Sequence, residues 1–243
     1  MSVSKTVKII SFILMEFILY LCFLYIDIFD SQYYKISAII KFAGIVGCFG
    51  YAVFILQKKD NPLYTKLVQS ALFFTVISDI FLLLTNESEK GVFTFCIVQG
   101  IYRYYLWTIH KQIDEKKISL KFLFLPNTII SFLVLFIMYA QSMDITLLFV
   151  VTVFYFVSIL MNVVVAIRLA IQIKKSYIIL FAVGMVLFLF CDINVGIFNI
   201  SDFLVMDSRI FNKIYRFSTV GMWLFYLPAQ VLLAISLSFY KRK

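Results

Sequence analysis

The sequence predicts an all-α protein, a polytopic bundle of eight transmembrane helices forming a single domain over residues 1–243. Three observations carry that expectation. First, 63% of the 243 residues are apolar and only 14% are charged, whereas soluble domains run near ~45–50% apolar and about 25% charged. Second, the mean hydropathy is +0.99, and the apolar residues fall in eight continuous runs rather than in the period-two alternation of a membrane β-barrel. Third, the basic residues are distributed unevenly between alternate loops, as the positive-inside rule requires of cytoplasmic segments.

Each run is 19 to 26 residues long, enough to cross a hydrocarbon core of ~30 Å. The first, 7–29, follows Lys5 and Lys8, but it is too long for a signal-peptide core and lacks a small-residue cleavage site, so it should remain as a helix. The second, 36–56, carries Lys41 and a close-packing face at Gly44 and Gly47. The third, 63–84, holds Gln69 and Asp79. The fourth, 91–109, places Gln99, Tyr102 and Arg103 on one face at i, i+3 and i+4. Runs five and six, 120–140 and 145–167, contribute Asn127 and Asn162 as interhelical hydrogen-bonding groups. The seventh, 177–199, contains Asp192 and Asn194, and the eighth, 215–240, contains Tyr226, Pro228 and Gln230. These spans take 178 residues and leave 65 for loops and termini, too few for a soluble domain.

Charge tests the topology independently. Fifteen of the 22 basic residues fall on the side of the N-terminus. Five (Lys35, Lys90, Arg209, Lys213 and Arg216) fall on the other, and Lys41 and Arg103 lie within spans. An even helix count with this bias puts both termini in the cytoplasm. The longest loop on the far side is 200–214, with Asp202 and Asp207. The net charge of +9 then marks loops facing anionic headgroups rather than a nucleic-acid partner. Cys22, Cys48, Cys96 and Cys191 all sit in apolar runs without a CxxC pair, and the sole histidine is His110. Neither a disulfide framework, a zinc cluster nor any cofactor is implied.

Function in such a protein resides in the polar groups that lipid would reject. An ionisable residue at mid-bilayer costs ~2.5–3.5 kcal/mol on insertion scales, so each needs a partner or a task. Those set well inside the spans are Glu16, Lys41, Asp79, Arg103 and Asp192. At ~1.5 Å per residue, Lys41, Asp79, Asp192 and Gln99 come from four helices to a common depth of ~8–12 Å below the outer surface. They form a convergent polar pocket if those helices meet. The alternative is a structural cluster in which the aspartates pair with Lys41, or a Lys41 that snorkels outward. Glu16 and Arg103 read as structural, with Arg103 near enough to the cytoplasmic surface to reach headgroups.

The segment Phe95-Cys96-Ile97-Val98-Gln99-Gly100-Ile101-Tyr102 resembles the fourth-helix signature of the YhhN-like lysoplasmalogenase family, a Phe four before a His and a Tyr three after it. Gly184 through Phe188 to Cys191-Asp192 is similar to that family's seventh-helix pattern. Tyr226-Leu227-Pro228-Ala229-Gln230 is similar to its last-helix Tyr-x-x-Ala-Gln. Ser78-Asp79-Ile80-Phe81-Leu82 resembles the third-helix Gly-Asp with its apolar run, and Lys41 stands where the family has Lys-Pro. The likeness spans about residues 36–240. The departures are Gln99 for the histidine, Ser78 for glycine, Cys191 for serine and Phe42 for proline.

The resemblance implies hydrolysis of the vinyl-ether bond of a lysoplasmalogen to a fatty aldehyde and a glycerophospho-base, in a multi-pass protein of a cell membrane or an endomembrane. Protonation of the enol-ether carbon gives an oxocarbenium ion that water captures, which asks for one carboxylic acid and one carboxylate, as in glycoside hydrolysis. Lipid burial disfavours a charged carboxyl and a neighbouring like charge disfavours it further, so Asp79 and Asp192 are the expected catalytic pair. Lys41, Gln99, Tyr102, Tyr226 and Gln230 are the expected substrate- or water-positioning groups. The substrate, a lysophospholipid, would enter sideways from the bilayer, and no metal is called for. A ligand-binding receptor or a proton-coupled transporter would use the same groups without hydrolysis. The transporter is disfavoured by the absence of an inverted repeat or of matching Gly/Pro-broken helices.

Overall fold

The computed structural model describes residues 3–55, 62–85, 87–112, 120–142, 145–199 and 208–240. Among the described residues there are eight helices of 18 residues or more and no strand. They are α1 (Val3–Phe29), α2 (Tyr34–Phe54), α3 (Pro62–Asp79), α4 (Ser88–Lys111), α5 (Leu120–Ala140), α6 (Leu147–Ile173), α7 (Ser176–Phe198) and α8 (Ser208–Ser236). Single 3-10 turns at Ser31–Tyr33 and Leu237–Phe239 precede α2 and follow α8. The basic residues at Lys58, Lys59, Lys116, Lys117, Lys241, Arg242 and Lys243, and the loop acids Asp202 and Asp207, lie outside the described residues.

Seven helices close a ring. α1 packs on α2, α2 on α3, α3 on α4, α4 on α6, α6 on α7 and α7 on α8, and α8 returns to α1, α2 and α3. α5 packs on α6 outside that ring. The core fills the ring with fully buried apolar side chains such as Ile45, Leu72, Val98, Ile159, Phe181 and Leu233. The outer surface is equally apolar, with Phe17, Ile39, Phe93, Phe132, Val164 and Phe217 exposed, as expected where the solvent is lipid.

Six helices are long and apolar enough to cross a membrane: α1, α2, α3 with its extension to Leu84, α6, α7 and α8. α4 and the Phe124–Ala140 part of α5 do not meet that description. α4 is the most polar helix because it lies between α3 and α6, where protein replaces lipid, and it buries Gln99, Tyr102, Arg103 and Tyr105. α5 as a whole, Leu120–Ala140, is 21 residues long and apolar.

Element ends also moved. α6 runs to Ile173 rather than 167, because Arg168 is a tolerated helical residue and the true stop is Lys174, in left-handed backbone at φ 53°. Lys174 and Lys175 are then the whole connection to α7. α8 begins at Ser208, inside the segment expected to be loop. Pro62 opens α3 at the first helical position, where its missing N–H is of no consequence.

Two irregularities shape the centre. Pro228 within α8 cannot donate to the carbonyl of Leu224, four residues earlier. In a membrane that acceptor needs another donor, and the Tyr20 hydroxyl of α1 supplies it at 3.2 Å. In α3, the helix widens into a π turn over Ile80–Leu84, directly after Asp79. The Thr85 amide bonds the Ile80 carbonyl at 3.1 Å, and Ser78 Oγ donates to the Gly91 carbonyl of α4 at 2.6 Å. Such turns occur frequently at functional sites.

Candidate active site

Asp79, the last α-helical residue of α3, is 3% exposed. It is held from across the ring: the Tyr226 hydroxyl of α8 donates to its Oδ2 at 2.8 Å. Asp192, on α7, has the same arrangement with a different helix, its Oδ2 accepting from the Tyr155 hydroxyl of α6 at 2.7 Å. Each carboxylate therefore has one oxygen oriented by a phenol and one free of that bond.

The two pairs share a wall. Phe95 of α4 stands 5.8 Å from the Tyr155 ring, 6.3 Å from the Tyr226 ring and 5.7 Å from Phe188, which in turn stands 5.5 Å from Tyr226. Most of these contacts are tilted or edge-to-face, the geometry aromatic quadrupoles favour. Buried Cys191, next to Asp192 in sequence, lies within electrostatic reach of both Asp192 and Asp79. Five helices thus bring two carboxylates, two phenols and two phenyl rings into one cluster.

Lys41 is placed differently from either expectation. It neither joins the two aspartates nor snorkels outward: its ammonium pairs with Asp27 of α1 at 2.7 Å. Asp27 also accepts from Ser37 Oγ at 2.6 Å. The Lys41 Nζ lies 4.8 Å from the Trp223 ring and 5.6 Å from the Phe23 ring, both cation–π distances. Trp223 meets Tyr226 edge-to-face at 5.2 Å. The Lys41–Asp27 pair is therefore one aromatic contact away from the Asp79 phenol.

The remaining expected residues line the ring interior. Gln99 is buried, and Asn162 Nδ2 donates to both its backbone carbonyl and its Oε1 at 2.9 Å. Its Nε2 has no hydrogen-bond partner among the described residues, nor have the Tyr102 hydroxyl or either amide atom of Gln230. Gln99 follows Phe95 by one helical turn, and Gln230 follows Tyr226 by one turn. A buried polar atom without a partner is costly unless a ligand or water meets it, so these groups form a polar layer beside the aromatic cluster. Residues 36–237 match the model of the YhhN family. The chain belongs to the YhhN family. No curated protein and no solved structure matches it.

In this YhhN protein α1 lies ahead of the matched range, so Phe23 and Asp27 come from outside it. Arg103 needs correction as well. It does not reach out to headgroups; it is 4% exposed and donates to the Ser158 carbonyl of α6 at 3.4 Å. Asn127 and Asn162 do bridge helices, to Ser158 and Gln99. Gly44 and Gly47 admit a neighbour closely, and that neighbour is Glu16: a Cβ at Gly44 would stand 3.0 Å from its carboxylate, and one at Gly47 would collide with it.

Three site residues escaped the sequence reading. Asp27 sits two residues from the end of α1, where a charge can meet the interface. Tyr155 and Trp223 carry nothing in their sequence context that sets them apart from other membrane aromatics. The available signal was Asp27 itself, a carboxylate inside the first span.

Proposed function

We propose that this YhhN protein is an intramembrane hydrolase that cleaves the vinyl-ether bond of lysoplasmalogens, with Asp79 and Asp192 as its acid/base pair. One observation carries the reading: two aspartates on different helices, each oriented by a tyrosine, lie against one shared aromatic cluster. One carboxyl gives its proton to the enol-ether carbon, leaving an oxocarbenium ion. The other carboxylate takes a proton as water adds to that ion. The resulting hemiacetal collapses to a fatty aldehyde, its hydroxyl proton passing to the departing glycerol oxygen; one water is consumed, and return of the proton from the second carboxyl to the first restores the protein.

Phe95, Phe188 and the two phenol rings suit a transient cation in a dry setting, since aromatic faces attract positive charge. Gln99, Tyr102 and Gln230 offer unpartnered groups to position water or the glycerol part of the substrate. The topology that accompanies this reading has all eight helices spanning and both termini cytoplasmic, with α4 shielded by the ring and a single-chain lipid entering sideways from the bilayer.

The test is aldehyde release from lysoplasmenyl-ethanolamine and lysoplasmenyl-choline by detergent-purified protein. Asp79→Asn and Asp192→Asn should each lower the rate by ~10²–10⁴, the usual effect of removing a general acid or base. Folded wild type that releases no aldehyde, and still none after Gln99→His, would replace this reading with non-catalytic lipid binding.

A further inference from the structure

The ion pair between α1 and α2 offers chemistry that the two aspartates do not. Asp27 and Lys41 retain 9% and 10% side-chain exposure; Asp27 is two residues before the end of α1, and Lys41 lies two helical turns into α2, which begins at Tyr34. Among the described residues Asp27 is the one carboxylate paired with Lys41. The ammonium also lies over the rings of Trp223 and Phe23, themselves 5.9 Å apart and edge-to-face.

We infer that the Asp27–Lys41 pair, walled by Trp223 and Phe23, reads the headgroup of a lysophospholipid that carries both a phosphate and an ammonium. Lys41 exchanges Asp27 for the phosphate, and Asp27 together with the Trp223 and Phe23 faces takes the ammonium.

Charge balance is the reason for the selectivity. A zwitterion replaces one ion pair by two, so every charge in the partly buried site keeps a counterion. A headgroup with phosphate alone would draw Lys41 away and leave Asp27 unpaired in a low-dielectric setting, which is strongly unfavourable. The aromatic walls add to the preference, because quaternary ammonium groups are favoured ligands of aromatic faces. Trp223 also touches Tyr226, which holds Asp79, so the headgroup and the reacting end of one lipid lie on adjoining sites. The inference rests on the lysolipid reading above. Asp27, Phe23 and the rest of α1 precede the matched residues 36–237, whereas Lys41 and Trp223 lie within them.

The test separates recognition from cleavage by using ester lysolipids, which have no vinyl-ether bond. Radiolabelled lysophosphatidylcholine bound to detergent-purified full-length protein is displaced by unlabelled lysophosphatidylcholine, lysophosphatidylglycerol or lysophosphatidic acid of the same chain length. Wild type should prefer the choline headgroup by about tenfold over the two anionic ones. Asp27→Asn should lower choline affinity by about tenfold and leave the anionic lipids unchanged or tighter, bringing the ratio near unity. Trp223→Leu removes no charge and should weaken the choline lipid more than the anionic ones, so it decides the matter if Asp27→Asn fails to fold.

Equal affinity of wild type for all three headgroups, or equal losses for all three in the variants, would show a purely structural ion pair. A headgroup preference without aldehyde release from plasmenyl lipids would sink the hydrolase and leave this site standing. Aldehyde release without a preference would sink this inference alone.

Discussion

Asp79 closes the α-helical part of α3, is 3% exposed and receives its phenol from α8, whereas Asp192 lies within regular helix α7, keeps partial exposure and receives its phenol from α6. The hydrogen bonds differ by only 0.1 Å (2.8 against 2.7 Å), so the immediate chemistry is the same. The supports differ. Asp79 is followed by a π turn that Ser78 ties to Gly91 of α4, while Asp192 sits two residues before Asn194, which packs into the notch left by Gly221 on α8. Two similarly held carboxylates are thus backed by separate local devices while sharing the Phe95 wall.

The largest effect is expected from removing either charge. Asp79→Asn and Asp192→Asn should both abolish most aldehyde release, each by at least ~100-fold. A large loss in only one would break the equivalence and reduce the pair to a single functional acid.

Glycine substitutions sharpen the contrast. A Cβ at Gly91 would meet Leu82 in the π turn at 2.5 Å, and one at Gly221 would collide with the Asn194 amide. Gly91→Ala should destabilise the Asp79 side and Gly221→Ala the Asp192 side, each by about 1–3 kcal/mol as overpacking does. Thermal unfolding in detergent reads that loss. Additive effects in the double variant would confirm that the two supports are independent.

Removing a phenol hydroxyl is milder. Tyr226→Phe and Tyr155→Phe should each lower stability by about 0.5–1.5 kcal/mol. Both should depress turnover to a similar degree, because Phe keeps the ring contacts and each variant loses one hydrogen bond to a carboxylate. A much larger loss of turnover in one variant would break the likeness of the two pairs. Smallest of all, Cys191→Ser should change turnover by less than about threefold. The swap is nearly isosteric and alters charge on neither side of the cluster; turnover assays of the two proteins side by side are sufficient.

The helices were legible because lipid demands long apolar runs, and every expected run has its helix. Their ends were less so, since Arg168 can extend into the interface without ending α6, and the actual stop at Lys174 is a backbone conformation that composition does not announce. Asp79, Asp192 and Lys41 stood out in the sequence because a charge in hydrocarbon needs a reason. Of their partners only Tyr226 did, through the family resemblance. Tyr155 and Trp223 look like any of the 15 tyrosines or two tryptophans, and choosing them requires knowing which helices are neighbours. The same ignorance produced the expectation that Lys41 would face the two aspartates, when the ring order places α1 beside α2.

The wide turn at Ile80–Leu84 amounts, in residue count, to a one-residue insertion in an otherwise continuous helix. A relative lacking that residue would superpose on both sides of the turn, because the wider turn absorbs the ~100° that one extra residue adds to a regular helix. An alignment that forbids gaps inside membrane helices would shift Gly91 and the first turns of α4 by one place and hide the match. Deleting one residue from Ile80–Leu84 would let the segment close into regular helix with the face beyond it still toward α4, removing only the wide turn beside Asp79.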